Sequence, residues 1–425
     1  MKKLALVALA LCLPLGAAAQ QKGQEPPDIN FQFKVDQAIE KGIKYLKGKR
    51  TGSYHMEIKN GNELILLTYI HSGIVPEDDA DFQALLKETL EDKLERTYKV
   101  ALHAMCLEEI HRLKYRSRIQ QCAQFLVDNL DDTGESRYGQ PSIFVDDVPT
   151  TAPTRKDVAS SAGPAAAAKK ADGAVVDVHR KAKPVVKDTV QIKRQRPGPV
   201  GHDHSNMQYH ALGLRACYDS GMRFEDKFIK LVDDHWRRTQ IPDAGAKEED
   251  ILVDTLLANG PGGAKPAGGK PVAAGATSVM PVTMKAAPAG WGYQGGAAKS
   301  HGSMTVGAVG ALCILDHMQG KDWRQDKDVL EGLQWMNKHF TVTENAEYEN
   351  KTRWHYYYLY GIERVGMLFG TETIGSHKWY REGAEYLLAQ QAGDGHWNDV
   401  VDTCFAILFL RRATRPLGVA TGGRK

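Results

Sequence analysis

The chain lacks most of the residue patterns that announce a chemistry. Only six of its 425 residues are cysteine, and no two of them are spaced as CxxC. Cys12 lies in an apolar leader, so five remain: Cys106, Cys122, Cys217, Cys313 and Cys404. An odd number without metal-type spacing excludes a disulfide framework and reads as buried small hydrophobes. There is no nucleophile elbow, P-loop or dinucleotide fingerprint. The stretch Gly290-Trp291-Gly292-Tyr293-Gln294-Gly295-Gly296 is glycine-rich but has neither the lysine nor the preceding strand of a phosphate loop. Charge of one sign is also missing. The formal net charge is +3, which gives no electrostatic footprint for nucleic acid. No apolar run beyond the leader reaches the ~20 residues that span a bilayer, so no transmembrane span is expected after the leader is removed.

What is present begins with that leader. Met1-Lys2-Lys3 precedes an apolar run from Leu4 to Leu15 and then Gly16-Ala17-Ala18-Ala19-Gln20. A charged start, a short apolar core and small residues make a cleavable signal peptide over residues 1–19. The expected address is periplasmic or secreted. Losing Lys2 and Lys3 brings the net charge to about +1.

With 42% hydrophobic residues, residues 27–418 can build one large domain. Two segments interrupt it. Residues 149–200 are rich in Ala, Pro, Lys and Val, and residues 258–290 in Gly, Ala and Pro. Neither has helical periodicity, and both read as flexible surface insertions. The remainder divides into twelve helical segments of two kinds. Amphipathic ones start near residues 33, 79, 115, 224, 326 and 377; Ile119, Cys122, Ala123, Leu126, Val127 and Leu130 illustrate the spacing. Segments apolar nearly all round start near 62, 97, 205, 303, 353 and 402, and must be buried on every side. The two kinds alternate strictly. The expected fold is all-α, six inner and outer helix pairs closed into an (α/α)6 toroid, with an open solenoid as the competing geometry.

A repeat marks the ends of the outer helices. Gly383-x2-Tyr386-x3-Gln390-x4-Gly395-x-Trp397 is its fullest copy. Degenerate copies run from Gly42 through Tyr45 and Lys49, from Gly332 through Trp335 to His339, and from Phe125 through Asn129 to Gly134. Another, Trp236-x3-Gln240-x4-Gly245, is completed by Gly290-Trp291 beyond the second insertion.

The Gly383 to Trp397 stretch resembles the QW repeat of squalene and oxidosqualene cyclases, whose helix-pair plan recurs in protein prenyltransferase β subunits. Two further stretches, Trp354 to Arg364 and Asp402 to Leu410, resemble uncharacterised exported members of this superfamily of planctomycete type. The likeness covers roughly residues 30–415 apart from the insertions. It implies a terpenoid cyclase or prenyltransferase-like toroid that binds an apolar or extended small molecule in a central cavity, with catalysis left open.

The chemistry such families use points to particular residues here. Cyclases protonate their substrate from Asp-x-Asp-Asp-Thr. Asp399-Val400-Val401-Asp402-Thr403 keeps Asp402 but has Val401 at the second acidic position, and Asp402 also stands where a helix N-cap would. Prenyltransferases bind Zn2+ through Asp-x-Cys and His, so Asp402, Cys404 and His355 are the metal candidates and Zn2+ the cofactor they would take. Cys404 is equally well placed as core. Trp354, Tyr356, Tyr357 and Tyr358 crowd one inner helix, as cavity lining or as core. Glu363 lies two turns from His355, and Arg364 is placed to pair with it. His204, His210 and His301 lie at or near inner-helix starts, beside the loop residue His202. Three other roles stay open: a terpenoid or Zn-dependent prenyl enzyme, a glycan-acting toroid with paired carboxylates or a Tyr/His pair about 5–9 Å apart, and a scaffold with a filled centre.

Overall fold

The computed structural model describes residues 28–51, 61–139, 188–193, 197–198, 203–256, 279–294 and 299–418. The expected signal peptide, His202 and most of both insertions lie outside the described residues. The described chain is mostly helical, with twelve α-helices and six short strands. The helices are α1 (Ile29–Leu46), α2 (Asn62–Ser72), α3 (Ala80–Glu91), α4 (Thr97–His111), α5 (Arg116–Asp128), α6 (His204–Asp219), α7 (Asp226–Arg238), α8 (Gly302–Gln319), α9 (Lys327–Lys338), α10 (His355–Val365), α11 (Trp379–Gln390) and α12 (Val400–Leu410). A π-helical turn, Gly366–Gly370, extends α10. Among the described residues no helix is long and apolar enough to cross a membrane.

The odd-numbered helices are amphipathic, and the even-numbered ones are buried nearly all round, polar residues such as His210 and Glu363 included. In α1, Val35, Ala38, Ile39, Gly42, Ile43 and Leu46 form one buried face, while Asp28 caps the first turn. In α8, every residue from Gly302 to Asp316 is buried. Burial on all sides follows from the packing order. Each apolar helix packs on the next, α2 on α4 and so on to α12, and α12 packs on α2. Tight approach between α8 and α10 needs Gly361, where an added Cβ would lie 2.2 Å from Val306.

The repeat has a physical meaning in its two fullest copies. Trp397 and Trp291 are fully buried. Their indole N–H groups donate to Leu387 O and Trp236 O, both at 2.8 Å. Their backbone amides donate to Thr403 Oγ1 at 3.0 Å and Thr305 Oγ1 at 3.1 Å. A glutamine then reaches the next amphipathic helix: Gln391 Nε2 to Ala38 O at 2.8 Å, and Gln240 Nε2 to Asp328 O at 3.0 Å. The bracing residue is Gln391 rather than Gln390, which is exposed. Gly395, at φ +99°, holds the turn before Trp397.

The insertions are narrower than composition suggests. Residues Asp188–Val190 (β1) pair in parallel with Met222–Phe224 (β2). The second insertion is entered and left through an antiparallel ladder of Glu249–Leu256 (β4) with Val279–Ala286 (β5). Short strands β3 (Ile241–Pro242) and β6 (Ala289–Gly290) pair below it. Ladder pairing, not helical periodicity, orders these flanks. The five cysteines Cys106, Cys122, Cys217, Cys313 and Cys404 are free and buried.

Candidate functional site

The starts of five apolar helices share one cleft. Tyr98 comes from α4, Ser205 from α6, Ser303 and Met304 from α8, Tyr357 from α10 and Phe405 from α12. Tyr293, His301, Tyr348 and Trp354 complete the lining from the segments that lead into these helices. The cleft encloses about 560 Å3 of unfilled space, part of it open to solvent, with about 60 Å3 in which water centres fit. That admits one ring or one chain end. Cavities that engulf a whole drug-sized ligand run to ~300–1,000 Å3.

One wall is a hydroxyl network built on a carboxylate. Asp203 caps α6 by accepting from Asn206 N at 2.8 Å. It also accepts from Ser205 Oγ at 2.5 Å and from Tyr138 OH. Ser205 accepts from Tyr98 OH, and Tyr138 and Tyr293 hydroxyls lie 3.1 Å apart. Burial, helped by the charge of Asp203, pushes the Tyr293 phenol up to about 12, so it holds its proton.

The opposite wall is His301 with the segment from Asn345 to Trp354. Asn345 fixes that segment: its Oδ1 accepts from Ser303 N at 3.0 Å, and its Nδ2 donates to Ser303 Oγ at 3.1 Å. Trp354 opens α10 in the left-handed region, φ 59° and ψ 24°. A non-glycine residue held there costs ~1–3 kcal/mol, which surrounding structure must offset. The Tyr348 ring is tilted against His301, their centroids 4.7 Å apart. Burial, then the nearby His204, lowers the His301 imidazole to about 4, so the ring is neutral near pH 7.

Below the cleft the space between the helices is filled. Tyr98 meets Tyr209 at 4.7 Å, and Phe405 meets Tyr357 at 5.7 Å and Tyr360 at 5.9 Å. The Arg364 guanidinium lies over the Tyr360 ring at 4.0 Å.

Of the residues singled out from the sequence, Trp354, Tyr357 and His301 line the cleft. The others face elsewhere. Tyr358 packs against Gly302, and Tyr356 lies toward Tyr386 and Asp402. His355 Nε2 sits 3.0 Å from Val342 O, its ring against Tyr386 on α11. His210 Nε2 sits 3.0 Å from Leu126 O. Burial lowers both imidazoles to about 4. His204 contacts Gly292 O through Nδ1 at 2.7 Å, its ring between His235 and Trp236. Glu363 points away from His355 and accepts from Thr414 N at 2.9 Å and Thr414 Oγ1 at 2.8 Å. It does not pair with Arg364 in a salt bridge, and burial pushes its carboxyl up to about 7.

The acidic-motif residues also have structural roles. Asp399, not Asp402, is the N-cap of α12 and accepts from Asp402 N at 2.8 Å. Asp402, half-buried, accepts from Asn398 Nδ2 at 3.0 Å, and burial raises it to about 7. Cys404 turns toward Thr68 on α2, and burial pushes its thiol up to about 12. A zinc ligand must be a thiolate. Among the described residues, no three His, Cys, Asp or Glu side chains are grouped to hold a metal ion, so Asp402, Cys404 and His355 are not brought together.

Sequence reasoning passed over Tyr98, Asp203, Ser205, Tyr293, Ser303, Tyr348 and Phe405. Asp203, Ser205 and Ser303 carried a signal, since each falls within two residues of the start of an apolar helix. Tyr293 and Tyr348 come from connecting segments, where no periodicity operates. Comparison with family models, curated proteins and solved structures finds no match for this chain.

Proposed function

We propose that the chain is an exported (α/α)6 toroid of the cyclase and prenyltransferase kind, and that it binds a small molecule at the mouth where its inner helices begin. The architecture is supported by the unbroken packing order of the even-numbered helices, with α12 returning to α2. Export rests on the Lys2 to Ala19 leader. The binding reading rests on one observation. The starts of five apolar helices converge on a cleft lined by Tyr98, Tyr293, Tyr348, Trp354, Tyr357 and Phe405. The filled space beneath it narrows the ligand to one that inserts a ring or chain end and leaves its remainder outside. This is binding at the rim, not enclosure of an extended chain, and no reaction is claimed.

The test is ligand-observed NMR with indole as a neutral ring probe. Indole binding is expected to wild type and to Ala216→Trp, which fills the far end of the helices. It should vanish in Ser303→Trp, which fills the cleft. Trp354→Asn supplies a second cleft variant. Equal binding to all four proteins would reject the reading.

A further inference from the structure

We infer that the cleft takes a quaternary ammonium group, a cation without N–H donors, carried by a small free base; this names the ligand class of the cleft reading above and rests on it. Three features of the lining select that chemistry. The first is its faces. Tyr98, Tyr293, Tyr348, Trp354, Tyr357 and Phe405 surround the space, and among the described residues none that lines it is Lys, Arg, Asp or Glu. Aromatic faces carry negative potential and attract cations, most strongly where water is excluded. Trp354 already attracts one: the guanidinium of exposed Arg353 lies over its ring, 5.4 Å from the centre.

The second feature is charge. Asp203 stands one hydroxyl behind the lining, because Ser205, which lines the cleft, donates to it at 2.5 Å. Its other donors are Tyr138 OH and Asn206 N. All three donors are neutral, so they leave its negative charge uncancelled. After burial, that charge is the largest cause raising the Tyr293 phenol to about 12. The opposing charges are shielded. Arg364 lies over Tyr209, which in turn stacks on Tyr357 at 6.2 Å, so rings separate it from the cleft. Arg353 is exposed, and water and salt screen it. The His301 imidazole is lowered to about 4 by burial and is neutral near pH 7. The cation therefore belongs against the Tyr98 and Tyr293 side of the cleft, away from Arg364.

The third feature is hydrogen-bonding capacity, which separates this cation from other charged groups. An anion needs donors, and those at the cleft are engaged. Gly302 N and Ser303 N donate to Ala346 O at 2.7 Å and Asn345 Oδ1 at 3.0 Å. The Tyr98 and Tyr357 hydroxyls donate to Ser205 Oγ and Gln208 Oε1. A primary ammonium brings three donors to acceptors already in use. Asp203 takes its three, Ser205 Oγ accepts from Tyr98, and Ser303 Oγ accepts from Asn345 Nδ2 at 3.1 Å. A charged donor left unmet out of water is costly. A quaternary ammonium has no N–H to satisfy, and its methyl surface lies directly on the rings.

The experiment uses the full chain with indole as reporter, at constant ionic strength. The competitors are choline, phosphocholine and the carbon isostere of choline, a neutral alcohol in which tert-butyl replaces trimethylammonium. Choline and the isostere share a shape and differ in charge. Choline should displace indole at a concentration at least about tenfold lower than the isostere. Phosphocholine should compete less well than choline, because its phosphate meets the Asp203 side. Competition by phosphocholine as good as or better than that by choline assigns the site to a phosphorylated headgroup and overturns the free base. Asp203→Asn removes the charge and should narrow the ratio of choline to isostere. Tyr348→Leu removes one half-buried ring without touching Asp203 and should narrow it as well. Equal displacement by choline and the isostere, or no displacement by choline while indole binds, overturns the inference and leaves the cleft reading standing. The wild-type ratio decides the matter even where a variant fails to fold. Absence of indole binding removes the cleft reading and this inference with it.

Discussion

The two ends of the apolar helices are treated differently. At the end where they finish, the chain's last described residues cross the opening and pair with its charges. Arg415 reaches Glu108 and lies 2.8 Å from Glu109. Thr414 is held by Glu363, Arg411 Nε donates to His71 O at 3.1 Å, and Arg215 donates to Pro416 O at 3.2 Å. Charge meets counter-charge around a hollow of about 440 Å3 that Glu108, Glu109, Arg215, Asp219 and Arg415 line. At the end where the helices begin, aromatic faces line an open cleft, and His301 Nε2 has no partner. Each buried polar group must find a partner somewhere. Paired charges line the far hollow and aromatic faces line the near cleft, so an apolar ring is matched by the second.

The comparison can be broken most severely by removing the frame both ends share. Trp397→Ala deletes a fully buried indole and its bond to Leu387 O, and should cost ~3–5 kcal/mol in denaturant unfolding. Trp291→Ala should behave alike if the two copies of the repeat are equivalent. Next, Arg415→Ala leaves Glu108 with only Arg112, 4.0 Å away, at a cost of about 2 kcal/mol, discounted because Arg415 is partly exposed. Burial pushes Glu108 up to about 7 while Arg415 pulls it down. A raised carboxyl contributes stability that is full below its unfolded pKa near 4.5 and lost as pH rises through about 7. The loss in Arg415→Ala should therefore be larger at about pH 8 than at about pH 5. Indole binding should survive this change.

Ser303→Trp sharpens the comparison from the other side. Its side chain grows toward the cleft but gives up the bond from Asn345, so unfolding should shift by ~1–3 kcal/mol while binding disappears. The smallest stability effect is expected for Trp354→Asn. Asparagine tolerates the left-handed backbone, so relief of strain offsets lost packing to within about 1 kcal/mol. Ring binding should still fall, measured by the same NMR titration.

The helices and their alternation were legible because burial writes a period into sequence. The amphipathic face of α1 and the unbroken apolar run of α8 follow directly from that rule. The repeat was legible too, down to Trp291 completing a copy begun at Trp236 across 55 residues. The cleft was legible only in part. Helix α10 crowds Trp354, His355, Tyr356, Tyr357 and Tyr358 together, but a helix sends successive side chains in different directions. Trp354 and Tyr357 reach the cleft, while His355 and Tyr356 turn to α11. The wall formed by Asp203, Tyr138 and Tyr293 joins residues far apart in the chain, and no local pattern encodes such a meeting. Glu363 looked placed to line one wall with His355 because helical spacing says nothing of the terminal segment that claims it.

The most direct test of the central claim is a saturation-transfer NMR titration of indole against wild type, Ser303→Trp and Ala216→Trp. The account predicts binding to wild type and Ala216→Trp and none to Ser303→Trp. Binding that persists in Ser303→Trp, or that is lost only in Ala216→Trp, would contradict it.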